Sequence, residues 1–319
     1  MKIVVLDGQT LNPGDLSWES LKELGDVIIY ERTSEKQIIS RIGDAQVIFT
    51  NKTPITKEIL DKISNVKFIG VLATGYDVVD YNYAKTLGIL VSNIPEYSTQ
   101  SVSQMVFALL LEICNQVGDH SNKVKKGKWA QSKDFSFWDH DLIELSGKTL
   151  GIIGFGKIGK NTAKIANAFG MNVITYTRNV DKLLEHEMLK FVDIEELYKK
   201  SDVISIHSPL SDKNKYFINK SSISKMKDGV ILINTARGAL INENDLKEAL
   251  ESNKIYYAAI DVLEQEPAII NNPLLNVKNI FITPHIAWAT KASRQRLMKS
   301  AVNNLKNYIN GTPINIVNK

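Results

Sequence analysis

The sequence predicts an α/β protein of two domains, each built on a parallel sheet with helices on both faces. Short apolar runs alternate with helical patterns from the N-terminus, as in a chain of strand–helix–strand units. The alternation breaks at a long apolar segment, 101–116, and at a polar, aromatic stretch, 123–141. A second alternating series begins at Thr149. Two such series indicate two parallel sheets, each covered on both faces.

The first series contains five short apolar runs. They predict strands at 3–6, 27–30, 47–49, 67–71 and 90–91, and the segments 35–42 and 57–63 are predicted helices. The apolar segment 101–116 is predicted to be a buried helix that crosses to the second domain. The stretch 123–141 carries Trp129, Phe135, Phe137 and Trp138, and is predicted to be an irregular arm. Its aromatic side chains are expected either to contact a partner subunit or to form a small core of their own.

The second series contains seven predicted strands and ends in a helix. The strands are 149–153, 173–176, 191–192, 203–206, 230–234, 257–261 and 279–282. The final helix, 291–310, has no strand after it, so the chain is expected to return to the first domain there. The predicted domains are therefore 1–98 with 290–319, for the substrate, and 99–289, for a dinucleotide.

The composition is that of a soluble globular protein that binds neither nucleic acid nor membranes. Of 319 residues, 44% are hydrophobic and 23% are charged, and the formal net charge is only +4. Four lysines, Lys123, Lys125, Lys126 and Lys128, are interpreted as a solvated helix face. Cys114 is the only cysteine, so no intramolecular disulfide can form. A reducing cytoplasm therefore fits. No apolar stretch approaches the ~18 residues of a membrane span.

A glycine-rich turn predicts a dinucleotide site in the second domain. Gly154, Gly156 and Gly159 follow the apolar strand 149–153 and begin a helix with one apolar face. The first glycine permits the tight turn, the second lets the backbone approach the pyrophosphate, and the third lets helix and strand pack closely. The helix N-terminus would present N–H groups to the anion. Both domains are therefore predicted to be Rossmann-like, and the second to bind NAD or NADP.

The end of the next strand bears on the choice of cofactor. An acid normally stands there to bind the adenosine ribose hydroxyls, but this chain has Thr177 and Arg178, and no carboxylate before Asp181. A hydroxyl followed by a guanidinium suits a 2′-phosphate better than a bare ribose. NADPH is therefore expected to be accepted, unless Arg178 is simply a solvated loop residue.

Three residues of the second domain form a candidate catalytic set. Arg237 follows strand 230–234, at the carboxyl end where open parallel sheets bind ligands, and its planar fork suits a carboxylate. Glu266 and His285 follow the next two strands. His285 could exchange a proton near neutral pH, and Glu266 could fix its orientation and favour its protonated form. Taken singly, each is commonly an ordinary surface or loop residue.

Together these phrases resemble the D-isomer-specific 2-hydroxyacid dehydrogenase family over nearly the whole chain. The phrases are the glycine turn, His207-Ser208-Pro209-Leu210, 234–238 with the acidic helix behind it, 261–267 and Pro284-His285. The resemblance implies that Arg237 binds the substrate carboxylate, His285 is the acid/base and Glu266 hydrogen-bonds to it.

The resemblance also implies the contacts of the cofactor and of a second subunit. Asp261 would hold the nicotinamide carboxamide, and Lys157, Ile158, Thr235 and Ala236 would touch the dinucleotide. Members of the family usually dimerise through the cofactor domain, so a homodimer is expected, with the arm 123–141 at its interface.

Phrases in the first domain narrow the resemblance to the branch that reduces hydroxypyruvate to D-glycerate, or glyoxylate to glycolate. They include Thr50-Asn51-Lys52-Thr53-Pro54 and 70–80. Lys52 and the backbone of Ala73, Thr74 and Gly75 are the expected substrate contacts. The active site is then expected in a cleft between the domains, where closure would expel water, and no metal is expected.

Other members of the same architecture remain as alternatives. Formate dehydrogenases carry Gln where this chain has Glu266, which counts against them. Phosphoglycerate dehydrogenases usually bear a regulatory extension, and too few residues follow His285 for another domain. A broad 2-keto acid reductase stays open. A nicotinamide-sensing scaffold without turnover is expected to carry disordered interaction tails, which this sequence does not show.

Overall fold

The computed structural model describes all 319 residues and divides into two compact units. Met1–Ser98 and Ala289–Lys319 form one, called here the split unit, and Thr99–Trp288 forms the other, the central unit. The sequence predicts that the chain returns at 289/290, and in the structure the return lies one residue earlier.

Twelve strands form the two sheets, and the predicted strands agree with them to within about two residues at each end. The strands are β1 Lys2–Val5, β2 Asp26–Ile29, β3 Val47–Thr50, β4 Phe68–Val71, β5 Leu90–Ser92, β6 Thr149–Ile153, β7 Asn172–Tyr176, β8 Leu189–Phe191, β9 Val203–Ile206, β10 Val230–Asn234, β11 Ile255–Ile260 and β12 Ile280–Ile282.

Eleven α-helices connect and follow these strands. They are α1 Glu19–Lys22, α2 Ile38–Ile42, α3 Lys57–Leu60, α4 Tyr81–Thr86, α5 Thr99–Asn115, α6 Val117–Lys125, α7 Lys157–Ala168, α8 Ile194–Lys200, α9 Lys220–Ser224, α10 Glu243–Glu251 and α11 Lys291–Ile309. Several begin at a polar side chain that accepts a first-turn N–H, as Asp193 does for α8 and Asn242 for α10.

The sheet of the split unit is parallel throughout, in the order β2-β1-β3-β4-β5. Because successive side chains of a strand point to opposite faces, each strand contributes to two layers. Val4, Ile48 and Ile69 lie in one core with α2, α3 and α4. On β4, Phe68 packs its ring against Tyr308 of α11, with 4.8 Å between the ring centroids.

The sheet of the central unit is also parallel throughout, in the order β12-β11-β10-β9-β6-β7-β8. Leu232 of β10 lies in one core with residues of α8 and α10, whereas its neighbours Ile231 and Ile233 lie in another with residues of α5 and α7. Helices therefore cover both faces, as the sequence predicts. The chain order reverses between β6 and β9, and open parallel sheets bind ligands at such a point.

The predicted arm is irregular only after Lys125, because α6 occupies the first part of it. The prediction of irregular structure from residue 123 is therefore wrong for its first three residues. Helix α6 has no buried residue, so it lacks the apolar periodicity by which a sequence reveals a helix. Gln116, with a left-handed φ of 47°, separates it from α5. Residues 126–141 are called here the aromatic arm.

The segment after α11 runs along the edge of the split unit's sheet. Ile316 forms an isolated antiparallel bridge with Ser92 of β5, and the Val317 N–H donates to the carbonyl of Val91 at 2.9 Å. These contacts cover the exposed edge of β5 without forming a full strand, in agreement with the expected absence of a strand there. None of the helices is both long and apolar enough to span a membrane.

Candidate active site

The candidate residues of the central unit lie at one edge of its sheet. Gly154 follows β6, Thr177 follows β7, Arg237 follows β10, Asp261 follows β11 and His285 follows β12. Since the sheet is parallel, all five positions are at carboxyl ends of strands, and β6 borders the point where the chain order reverses. The sheet thus brings the predicted dinucleotide turn and the predicted catalytic set to the same edge.

The geometry of the glycine turn is compatible with the predicted role of each glycine. Gly154 has a φ of 97°, and a Cβ there would lie 2.8 Å from the backbone of His207. A Cβ on Gly159 would lie 2.3 Å from the carbonyl oxygen of Gly154, so α7 packs directly on the turn. A Cβ on Gly156 would meet no atom within 4 Å. The open side of the turn therefore has room for a pyrophosphate at the N-terminus of α7.

A cavity of about 330 Å³ lies beside this turn, at the carboxyl end of β7. Its wall contains Thr177 and two charged residues that the sequence analysis did not select as binding residues, Lys160 of α7 and Asp181. Arg178 is exposed and is not part of this wall. Lys160 makes no ion pair within the protein, whereas a carboxylate oxygen of Asp181 accepts the Leu183 N–H at 3.2 Å. One cation and one anion therefore face the same cavity.

The turn that carries Arg237 is fixed by a buried asparagine. Asn234 accepts the Ala236 N–H at 3.0 Å and donates to the carbonyl of Arg237 at 2.9 Å. A Cβ on Gly238 would lie 1.9 Å from the carbonyl carbon of Leu263, so this turn packs on the loop that leads to Glu266. The exposed guanidinium of Arg237 donates only to the carbonyl of Ala236, at 2.7 Å, which leaves most of its fork for an anion.

Thr235, in the same turn, has an unpaired hydroxyl. Its Oγ1 is buried and is the one buried side-chain polar atom of the chain without a hydrogen-bond partner. Such an atom costs stability unless a ligand or water satisfies it. Together with the open side of Gly156, this hydroxyl fits the predicted binding of a dinucleotide at this edge.

His285 and Glu266 form a close pair. Glu266 Oε2 lies 2.6 Å from His285 Nδ1, and Glu266 Oε1 accepts the Leu263 N–H at 3.1 Å. The two side chains are 31% and 32% exposed, and His285 Nε2 has no partner within the protein. The carboxylate thus orients the ring through one nitrogen and leaves the other free for a proton transfer.

Asp261 holds the loop that carries His285. Its buried carboxylate accepts the Thr283 hydroxyl at 2.5 Å and the N–H groups of Ile286 and Ala287 at 2.9 and 2.8 Å. His285 has a left-handed φ of 55°, a conformation that costs a non-glycine residue on the order of 1–3 kcal/mol. Asp261 therefore stabilises an unfavourable backbone at the candidate base, a role that the sequence analysis does not assign to it.

The loop that carries Glu266 is held by α10. The first residue of that helix, Glu243, accepts the Glu264 N–H at 2.9 Å and the Asn272 side-chain amide at 2.7 Å. An acidic helix behind residues 234–238 is evident in the sequence, but a role for Glu243 is not. Only the folded chain shows that the helix and the loop meet.

His207 does not compete with His285 for the role of acid. Burial lowers the pKa of its imidazole to about 4, so the ring is neutral near pH 7. Its Nε2 lies 2.9 Å from the hydroxyl of Ser205, and its backbone N–H donates to Ile153 in the neighbouring strand.

The four expected substrate contacts lie in the split unit, at the carboxyl ends of the neighbouring strands β3 and β4. Lys52 is exposed and its ammonium makes no ion pair. The backbone N–H groups of Ala73, Thr74 and Gly75 donate no hydrogen bond within the protein. The side-chain amide of Asn93 donates to the carbonyl of Thr74 at 2.7 Å and so holds their loop. A cation and three free N–H groups could bind an anion here.

Comparison with known proteins identifies the chemistry of such a site. Residues 107–287 match the family described as "D-isomer specific 2-hydroxyacid dehydrogenase, NAD binding domain". A hydroxypyruvate reductase of Blautia hydrogenotrophica is 54% identical over 322 residues, which span 100% of each chain.

Two solved structures share the fold over the whole length. D-lactate dehydrogenase of Aquifex aeolicus, complexed with NAD and lactic acid, is 32% identical with a TM-score of 0.85, covering 100% of this chain and 99% of that one. An acyclic imino acid reductase in complex with NADPH and D-Arg is 34% identical with a TM-score of 0.84, covering 99% and 100%.

Proposed function

Because this chain belongs to the D-isomer-specific 2-hydroxyacid dehydrogenase family, we propose that it reduces hydroxypyruvate to D-glycerate and, as a second substrate, glyoxylate to glycolate. It is an NAD(P)-dependent oxidoreductase that acts on the CH–OH group of 2-hydroxy acids. The observation that carries the proposed chemistry is the His285–Glu266 pair, 2.6 Å apart, at the same sheet edge as Arg237 and the glycine turn. Hydroxypyruvate as the substrate is supported by the 54% identity to the hydroxypyruvate reductase of Blautia hydrogenotrophica.

His285 is the proton donor in the proposed reaction. When bound at this edge, a reduced nicotinamide would supply the hydride for the substrate's C2. The keto oxygen then needs a proton, which His285 Nε2 can give because Nδ1 is already held by Glu266. Glu266 stabilises the imidazolium before the transfer and keeps the ring oriented after it. In the reverse direction the same nitrogen takes the hydroxyl proton.

Arg237 binds the carboxylate of the substrate and polarises the neighbouring carbonyl. Its fork has free donors, and Asn234 fixes the backbone from which it extends. The free N–H groups of Ala73, Thr74 and Gly75 are proposed as further carboxylate contacts, and Lys52 as a contact to an anionic oxygen of the substrate. Asp261, Thr235, Ala236, Lys157 and Ile158 are proposed as dinucleotide contacts.

Steady-state reduction of three 2-keto acids tests this proposal. Hydroxypyruvate, glyoxylate and pyruvate are each assayed with NADH and with NADPH. We expect the highest kcat/KM with hydroxypyruvate, a lower value with glyoxylate and the lowest with pyruvate. Equal values for all three would replace the proposal with a broad 2-keto acid reductase, and no turnover with any of them would favour a scaffold that only binds the dinucleotide.

We also propose that NADPH is accepted and that Lys160 contributes to this more than Arg178 does. The proposal rests on the cavity at the end of β7, where Lys160 and Thr177 line the wall. The carboxylate of Asp181, in the same wall, would repel a 2′-phosphate. Lys160→Ala should weaken NADPH binding by about tenfold, the effect of a lost charge-assisted hydrogen bond, with little change for NADH. Lys164→Ala, one turn further along α7 and exposed, is the matched control. An equal loss for both cofactors would assign Lys160 to the pyrophosphate.

A cytoplasmic homodimer is the proposed assembly. Trp129, Phe135 and Trp138 of the aromatic arm are 53%, 90% and 65% exposed, and exposed apolar side chains grouped in one segment are typical of a surface that binds another protein. Light scattering at micromolar concentration should give twice the chain mass of 35.7 kDa. A mass equal to that of one chain would overturn the proposed dimer.

A further inference from the structure

Asp7, just after β1, has a carboxylate that accepts four hydrogen bonds from one loop. Its Oδ1 accepts the Asn51 N–H at 2.8 Å. Its Oδ2 accepts the N–H groups of Lys52 and Thr53 at 2.6 and 2.7 Å, and the Thr53 hydroxyl at 3.0 Å. Asp7 is 9% exposed and forms no ion pair, so these donors alone compensate its buried charge.

These bonds hold the loop in one conformation and leave Lys52 outside. Asn51 and Thr53 are 6% and 4% exposed, whereas Lys52 between them is exposed. The hydroxyl of Thr50 donates to the carbonyl of Thr53 at 2.7 Å and closes the turn. The Lys52 ammonium has no partner in the protein, although its own N–H is held by a carboxylate. The loop thus presents one free cation from a fixed backbone, at the carboxyl end of a parallel strand.

We propose that Asp7 is a positioning residue for substrate binding, which acts by fixing the backbone from which Lys52 reaches an anionic oxygen of the substrate. The inference rests on the proposed function, because it needs Lys52 to contact the substrate. A lysine side chain already loses rotamer entropy when its ammonium is bound, and a mobile backbone would add to that loss and weaken the contact. Preorganisation of the loop before binding removes part of that cost.

Asparagine at position 7 keeps the size of the side chain but replaces one acceptor oxygen by a donor. Whichever way the amide faces, Asp7→Asn should leave at least one backbone N–H of the loop without an acceptor, either that of Asn51 or those of Lys52 and Thr53. The resulting mobility should raise the KM for hydroxypyruvate by about tenfold, while kcat and the KM for the nicotinamide cofactor stay within about twofold. Thr53→Ala removes a single donor to the same carboxylate and should change the same KM in the same direction by a smaller factor. Thr53→Ala therefore tests the same proposal if the Asp7→Asn variant does not fold.

A double-mutant cycle separates positioning from simple structural support. The variants are Asp7→Asn, Lys52→Met and both together, with kcat and KM measured for hydroxypyruvate. If Asp7 acts through Lys52, Asp7→Asn should change KM by less than about twofold once Lys52 is methionine. Independent, multiplying effects of the two substitutions would overturn the proposal.

Asn318→Ala is the matched control for loss of buried hydrogen bonds in the same unit. Asn318 is 6% exposed and bonds to Ile89, Val91 and Tyr81, with no contact to the Asp7 loop. A KM change in Asn318→Ala as large as in Asp7→Asn would show a general effect and also overturn the inference. If wild type ignores hydroxypyruvate, the proposed function fails, and the same cycle with whichever 2-keto acid is reduced still decides the role of Asp7.

Discussion

The loops of the candidate site and the aromatic arm are held in different ways. The loops of His285 and Lys52 each donate several backbone N–H groups to one buried carboxylate. Asp261, 1% exposed, accepts the N–H groups of Ile286 and Ala287 beside His285. Asp7 does the same for the loop of Lys52. The two carboxylates lie in different units and follow different strands, yet each precedes a functional residue that extends from a fixed backbone.

The aromatic arm is tied to α6 by ion pairs at the surface. Asp119 of α6 accepts Lys123 and lies 2.8 Å from His140 Nε2. Asp139 of the arm pairs with Lys123 at 2.8 Å and also with Lys128. These side chains are between 27% and 46% exposed, so water and salt screen the pairs, and each contributes little to stability.

The difference teaches which parts of the molecule are ordered before binding. Buried carboxylates that collect backbone N–H groups hold a loop against thermal motion, because releasing any donor leaves a buried charge less compensated. Surface ion pairs allow the arm to move at little cost. A segment with exposed aromatic side chains, held only by surface ion pairs, can adjust its conformation to pack on a second copy of the chain. This is the assembly proposed above.

The largest expected effect comes from removing the imidazole of His285, which lies on the loop that Asp261 holds. His285→Ala should lose roughly 10²–10⁴-fold in kcat for 2-keto acid reduction, because the keto oxygen loses its proton donor. Cofactor affinity, measured by quenching of tryptophan fluorescence, should stay close to wild type. His186→Ala, an exposed histidine of the same unit, is the control. Near-normal turnover of His285→Ala would remove this residue from the proposed mechanism.

Breaking the Asp261 contacts should have the next largest effect. Asp261→Asn leaves at least one N–H of the His285 loop without an acceptor, so we expect kcat to fall by at least about tenfold and the free energy of unfolding by about 1–3 kcal/mol. Asp202→Asn is the control, because Asp202 accepts the Thr149 N–H at 2.8 Å at the opposite edge of the same sheet. Equal losses of kcat in both variants would mean that Asp261 supports the unit as a whole rather than His285.

Glu266→Gln should change the pH dependence more than the rate at the optimum. Reduction needs protonated His285, and Glu266 favours that form from 2.6 Å. Without the negative charge the protonated ring loses its stabilising partner, so the fall of kcat/KM on the alkaline side should begin at lower pH. Glu264→Gln, two residues earlier on the same loop, should leave the profile unchanged. An unshifted profile in Glu266→Gln would contradict its role beside the imidazole.

Much of the fold and the catalytic set could be predicted from the sequence, for identifiable reasons. Buried parallel strands are short apolar runs, so β9 and β10 are predicted with the bounds that the structure has. Arg237, Glu266 and His285 each follow such a strand, and a parallel sheet necessarily brings these positions to one edge. The pattern of strands therefore predicts that these residues lie near one another, in addition to predicting the fold.

The supporting residues could not be predicted in the same way. Asp7 reaches residues 51–53 across the sheet, and Glu243 reaches a loop 21 positions away. Each looks like an ordinary acid until loops from distant strands are packed together. Lys160 illustrates the same limit, because its place beside Asp181 depends on the path of the loop after β7. Helix α6 is missed for a different reason, because a helix without a buried face has no apolar periodicity in its sequence.

The smallest effect is expected from loosening the arm with acid or by substitution. The Lys123 and Lys128 ammonium groups hold the pKa of Asp139 at about 2, below its ordinary value of 3.8. A carboxyl group whose pKa is lowered in the folded state stabilises it above the ordinary pKa, and this contribution is lost as the pH falls through the folded value. The arm should therefore loosen between about pH 4 and pH 2, which the fluorescence of Trp129 and Trp138 can report.

At neutral pH, Asp139→Asn should reproduce part of that change and speed proteolysis within 126–141. A Lys200→Met variant, which removes an exposed ion pair on α8, controls for surface charge. If Asp139→Asn leaves arm fluorescence and proteolysis unchanged, the surface pairs do not hold the arm, and the contrast with the site loops fails.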